Sequence, residues 1–282
     1  MAISYPEILE LRSSAVPFTW DDRDAMLYAL GTGMGYDPLD LRELEFVYEK
    51  NLKVLPTFAT IVARPGDPGP VPLNRALVLD GGRRLTMHGS LSGTGNVLLH
   101  GRIVSAVDKG IGKGAILTRE VVIRDAVTNE KLATLVTDVL ARGDGGFGGP
   151  PPHVSASARL PSRTPDRIVD IATMPSQALL YRLSGDRNPL HIDPAIAARA
   201  GFDRPILHGL CTYGICCRAL MRSYADYDPA AIREFAVRFS APCYPGEMIS
   251  VHWWDQGDHL AFEARVEERG VVVVKDGIAR LG

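Results

Sequence analysis

The densest set of polar side chains in an otherwise apolar stretch of this 282-residue chain is Tyr181-Arg182-Leu183-Ser184-Gly185-Asp186-Arg187-Asn188-Pro189-Leu190-His191. A carboxylate beside an imidazole is a pair suited to moving protons near neutral pH, since histidine titrates there and the carboxylate is already a base. Asp186 and His191 stand five positions apart with Pro189 between them, so an irregular turn is needed to make them neighbours. Taken singly, Asp186 and Asn188 read as turn residues and His191 as a satisfied core histidine. The string as a whole asks for more than a turn. Asp193-Pro194 follows, a helix cap with proline at the first helical position.

The elements that would position this string are written twice. The segment from Asp24 to Gly33 (DAMLYALGTG) matches that from Gln177 to Asp186 (QALLYRLSGD) at an offset of 153, and Val54-Leu55-Pro56-Thr57-Phe58 faces Ile206-Leu207-His208-Gly209-Leu210 at an offset of 152. Each half runs from a short amphipathic helix (21–31 and 175–184) to a more apolar one (56–63 and 209–223) and then to strands. The strands are expected at 102–108, 115–124 and 131–140, and at 234–240, 248–254, 259–267 and 271–279. The 209–223 helix is apolar nearly all round and must be wrapped by other structure. A helix enclosed by an antiparallel sheet, repeated, predicts an α+β chain of two hot-dog units. The run Gly143-Asp144-Gly145-Gly146-Phe147-Gly148-Gly149, followed by three prolines, lacks the Lys-Ser/Thr of a phosphate-binding loop and reads as punctuation. The expected division is 1–148, a linker at 149–165, and 166–282.

Bulk properties exclude several other classes. A net charge of −2 with 23% charged residues offers no basic excess for nucleic acid. The start of the chain lacks the basic and apolar regions of a signal peptide, and Arg218 interrupts the best apolar run well short of the roughly 20 residues of a membrane span. Cys211, Cys216, Cys217 and Cys243 have neither a disulfide framework nor zinc spacing, which points to reduced thiols in a cytoplasmic protein. His100, His153, His252 and His259 show no metal-ligand spacing either.

The string Ser184-Gly185-Asp186-Arg187-Asn188-Pro189-Leu190-His191-Ile192-Asp193 resembles the hydratase 2 signature of MaoC-like (R)-specific 2-enoyl-CoA hydratases. Leu52 to Phe58 and the glycine run resemble the two-repeat form of that family, so the resemblance covers nearly the whole chain. It implies reversible syn hydration of a trans-2-enoyl-CoA to the (3R)-3-hydroxyacyl-CoA, with no cofactor because CoA is part of the substrate. It also implies a homodimer. Three alternatives stay open: a dehydratase acting on acyl carrier protein substrates, a hot-dog thioesterase, and a catalytically silent acyl-CoA-binding subunit.

Adding water across a double bond conjugated to a thioester needs a base for the water, a proton for C2, and stabilisation of the enolate-like oxygen. Asp186 and His191 are expected to share one water and divide the acid and base duties as a coupled pair, with Asn188 orienting them. The backbone N–H of Gly209, at the positive end of the apolar helix, is the expected oxyanion donor. The N-terminal half has lost this set: Gly33 faces Asp186, Thr57 faces Gly209, and Pro38-Leu39-Asp40 lacks the histidine. One site per chain follows, and the resemblance implies that the first half accommodates the acyl group. By resemblance, His88-Gly89, Lys109, Tyr181 and Phe239 are expected at the substrate. Ser90-Leu91 departs from the family pattern after Gly89, and Lys109 reads equally as a solvated turn lysine.

Overall fold

A computed structural model describes residues 3–69, 71–74, 77–152 and 160–282. Residues 153–159, with His153 and part of the expected linker, lie outside the described residues. Among the described residues, ten strands form one antiparallel sheet. The N-terminal half contributes β1 (Val16–Trp20), β2 (Val78–Met87), β3 (Gly95–Asp108), β4 (Ala115–Asp125) and β5 (Lys131–Ala141). The C-terminal half contributes β6 (Arg167–Ala172), β7 (Ile232–Phe239), β8 (Met248–Asp255), β9 (Leu260–Val266) and β10 (Val271–Leu281). The spatial order is β1-β3-β4-β5-β2-β7-β10-β9-β8-β6. Read from its two edges inward, this is one strand order used twice, and the halves join where β2 pairs with β7. At the centre of that ladder Arg84 faces Ala236, positions 152 apart, which is the offset of the sequence repeat. The fold is two hot-dog units in one continuous sheet.

The helices are α1 (Asp22–Gly31), α2 (Leu41–Leu44), α3 (Ala59–Val62), α4 (Gln177–Tyr181), α5 (Pro194–Arg199) and α6 (Gly209–Ser223). Cys211 to Met221 of α6 are all buried, as its all-round apolar pattern requires. Its counterpart in the first half is a single 3-10 turn (Pro56–Phe58) running into the one turn of α3. α1 carries a reciprocal capping box between Asp21 and Asp24. It packs against α4 so closely that a Cβ on Gly31 would lie 3.2 Å from Tyr181 Cα.

Three strands escaped the sequence pattern, and β3 begins seven residues before its expected start. β2 carries the charged Asp80-Gly81-Gly82-Arg83-Arg84, without the alternation of a strand. Here it is a bulged strand pressed between two neighbours: a Cβ on Gly82 would lie 2.5 Å from the Val237 carbonyl oxygen, and one on Gly81 2.9 Å from that of Asp138. The glycine run is also not slack chain. Gly146 and Gly148 donate to the Asp108 carboxylate at 2.7 and 2.8 Å, beside Gly110 at 2.7 Å, so the loop is pinned to the β3–β4 hairpin. These backbone donors, Gly146 first, hold the Asp108 carboxyl below the usual range.

Candidate active site

Asp186, Asn188 and His191 lie on the irregular segment between α4 and α5. α4 ends in a 3-10 turn closed by Gly185, whose φ of 118° is a backbone conformation suited to glycine. A second 3-10 turn, Pro189–His191, then brings the imidazole back towards the carboxylate. Asp193 closes the segment by capping α5 through Ala195 and Ile196 N–H at 2.8 and 3.2 Å.

His191 is buried, and its Nδ1 lies 2.8 Å from the Ile206 carbonyl oxygen. A carbonyl only accepts, so Nδ1 carries the proton and Nε2 keeps its lone pair. Burial pushes the His191 pKa below the ordinary value, opposed by the Ile206 hydrogen bond and the charge of Asp186. The imidazole is therefore neutral at pH 7 with Nε2 able to take a proton. Asp186 is half-buried; its Oδ1 accepts from Asn188 N–H at 3.3 Å and lies 3.6 Å from Nη2 of Arg64, a cation supplied by the N-terminal half.

Asn188 meets both members of the pair through its backbone. Its side chain accepts from Leu190 N–H at 3.1 Å, capping the second 3-10 turn, while its backbone N–H holds Asp186 and its carbonyl accepts from His191 N–H at 3.2 Å. Gly209 opens α6, where no side chain caps the first turn and the leading N–H groups have no partner within the helix. A Cβ on Gly209 would sit 3.5 Å from the Phe239 ring, which places Phe239 of β7 against this helix start.

Tyr181 has its ring fully buried between His208 and Tyr28, at centroid distances of 5.0 and 5.9 Å, directly behind the site. Lys109 is exposed in the β3–β4 hairpin, at the same end of the sheet as Phe239 by strand register. His88-Gly89 lies at the other end of β2, with the imidazole on Thr134 Oγ1 at 3.0 Å. Gly82, paired to Arg238 beside Phe239, is six residues back along the strand, about 20 Å at ordinary strand rise. His88 and Gly89 are therefore not part of the acid–base cluster.

In sequence His208 stands only as the residue before Gly209 in the second copy of the repeat. In the structure it stacks on His191 with centroids 3.7 Å apart and rings inclined by 28°, and its Nε2 is 3.0 Å from the Asp186 carbonyl oxygen. A buried histidine beside a catalytic-type histidine was the available signal, hidden because the two lie in different elements. Donor atoms of Asp186, His191 and His208 fall within 4.8 Å of one another, close enough by count for a metal ion. Nε2 of His208, however, is engaged as a donor to Asp186 and its Nδ1 is buried, so we read the cluster as acid–base machinery.

A double hot-dog with an aspartate–histidine pair before the start of one central helix defines a class of thioester-processing hydro-lyase. The description "MaoC like domain" matches residues 156–276 and "MFE-2 hydratase 2 N-terminal domain" matches residues 18–143. The chain belongs to the MaoC-like hydratase family in this two-repeat form. It is 38% identical over 291 residues to "Enoyl-CoA hydratase ChsH3" of Mycobacterium tuberculosis, covering 99% of this chain and 98% of that protein. It is 35% identical over 276 residues to "Enoyl-CoA hydratase 2, peroxisomal" of Arabidopsis thaliana, covering 91% and 89%. The crystal structure of a MaoC-like dehydratase from Phytophthora capsici superposes with a TM-score of 0.88 at 33% identity, over 99% of both chains. Among the described residues, no helix is long and apolar enough to cross a membrane.

Proposed function

We propose that this protein is an (R)-specific enoyl-CoA hydratase, adding water reversibly to a trans-2-enoyl-CoA to give the (3R)-3-hydroxyacyl-CoA. The observation that carries this reading is the fixed tautomer of His191: Nδ1–H is tied to Ile206, leaving Nε2 basic, in a cluster where Asp186 and His191 donor atoms lie within 4.8 Å of each other. A water held between the two is deprotonated as its oxygen attacks C3, and the proton returned to C2 comes from the same pair and the same face. Delivery from one face makes the addition syn. The thioester oxygen, which gains charge as the double bond breaks, is met by the N–H of Gly209 at the positive end of α6. One such donor is worth about 3 kcal/mol of barrier. The step uses no cofactor.

The N-terminal half has Gly33 and the buried Thr57 where a second site would need Asp and Gly, and its role is to house the acyl group. It also supplies Arg64, the cation beside Asp186.

Incubation with crotonyl-CoA tests the reaction class. Loss of the enoyl-thioester absorbance without release of thiol is expected. Thiol release would mean a thioesterase, and no change with crotonyl-CoA or longer enoyl-CoA esters would mean a binding subunit. Asp186→Asn and His191→Ala should each lower turnover by about 10² or more with the fold intact. Near-normal turnover in either would remove the assignment.

A further inference from the structure

We propose that His208 is the positioning residue of the acid–base pair: a neutral imidazole, fixed as the Nε2–H tautomer, that holds Asp186 through its backbone and walls off one face of His191. The inference rests on the hydratase reading for its kinetic consequences, though not for its geometry.

Three contacts converge on this one side chain. Nε2 faces the Asp186 carbonyl oxygen at 3.0 Å; the carbonyl only accepts, so Nε2 must carry the proton. Asp186 lies between two 3-10 turns and outside any strand or helix, so this bond ties down a stretch that regular structure does not hold. The His208 ring covers His191 at 3.7 Å, excluding water from that face. Behind it stand Tyr181 and then Tyr28, both fully buried, so His191, His208, Tyr181 and Tyr28 form a column of rings from the site into the core of the first half. His208 is also the N-cap residue of α6, bonded covalently to Gly209. A shift of His208 therefore displaces the carboxylate, the imidazole and the oxyanion donor together.

Neutrality follows from the surroundings. Nδ1 is buried with no hydrogen-bond partner among the described residues, so a second proton would find no acceptor. Burial first, then the adjacent His191, take the His208 pKa down to about 4, against the pull of the Asp186 carbonyl and carboxylate; Arg182 adds to the lowering. The charged groups around the histidine pair are Asp186, Arg182 and, through Asp186, Arg64.

Two substitutions separate the contacts. His208→Gln keeps an amide donor near the Nε2 position and removes the ring. His208→Phe keeps the ring and removes the donor. For His208→Phe we expect kcat to fall about tenfold, the scale of one hydrogen bond, with KM changed less than about threefold and the acid limb of the pH profile in place. For His208→Gln we expect the acid limb to move up towards the ordinary histidine value, because water reaches the exposed face of His191. NMR titration of the His191 ring in the free protein reads the same shift without substrate, so it tests the positioning role even if wild type fails to hydrate enoyl-CoA. Unchanged kcat in the folded Phe variant, or an unmoved His191 titration in the folded Gln variant, would overturn the proposal. If both variants unfold, the two-bond ring couplings of His208 in the wild-type protein decide: a neutral Nε2–H imidazole at pH 7 is expected, and an Nδ1–H or charged ring would overturn the proposal.

Discussion

Arg218 and Glu43 form a buried ion pair between the two halves, and removing one partner gives a sharp test of how the halves are held. Arg218 Nε and Nη2 each lie 2.8 Å from a Glu43 oxygen, with the side chains 6% and 2% exposed. Glu43 also accepts from Gly35 N–H at 3.0 Å. In Arg218→Met the carboxylate stays buried with that single hydrogen bond, and uncompensated buried charges of this kind cost about 3–5 kcal/mol. In a chain of this size that lowers Tm by about 10 °C. Arg218→Met combined with Glu43→Leu leaves no charge behind, and the net worth of a buried pair against apolar replacements is near zero, so the double variant should recover most of the loss. Urea unfolding of wild type, both single variants and the double variant completes the cycle, with a coupling of about 2 kcal/mol or more expected. A loss below about 1 kcal/mol in Arg218→Met, or strict additivity in the cycle, would refute the reasoning.

Stability should fall in mild acid. The ordinary histidine value is 6.5 and His208 sits at about 4 in the fold, so between those pH values the unfolded chain binds a proton that the folded chain does not. The stabilisation is whole above pH 6.5 and declines as pH drops to about 4, by roughly 3 kcal/mol, with the buried His191 acting in the same direction. Urea midpoints measured from pH 7.5 to 4.5 should show this slope, and His208→Phe should flatten it; an identical slope in that variant would assign the effect elsewhere. Gly209→Ala places a methyl at ordinary contact distance from Phe239, so Tm should hold while kcat/KM with enoyl-CoA falls about tenfold, since the methyl crowds the thioester approach. A drop in Tm without loss of kcat/KM would assign Gly209 to packing. Asp108→Ala frees the glycine loop from its carboxylate, and limited proteolysis should then cut within 144–149 faster than in wild type; equal cleavage rates would mean the loop is held by other contacts.

The repeat, the long central helix and the start of α5 could be read in advance because each is written in a short stretch of chain: matching segments, helical spacing in α6, and Asp193-Pro194 at a helix start. What stayed hidden depends on pairs distant in sequence. Gly81-Gly82 and Gly101 look like breaks, yet each is glycine because another backbone passes where a Cβ would stand; at Gly101 that is the Gly66 carbonyl oxygen at 1.9 Å. Tyr181 adjoins the signature in sequence, and the helical turn of α4 buries its ring behind the site. Arg64 and His208 entered the site only through the fold, one across the interface between halves and the other from the cap of α6.

One polypeptide carries both halves, which pair through β2 and β7, and that changes how the site can vary. In a symmetric pair of identical subunits, every substitution is made twice, so an alteration that widens one groove also alters its twin. Here Gly33 can lose a side chain while Asp186 keeps one, and the Arg218 guanidinium lies 3.0 Å from where a Cβ of Gly33 would be. Covalent linkage converts a molecular symmetry into two independently heritable surfaces, so that a change at Gly33 leaves Asp186 untouched.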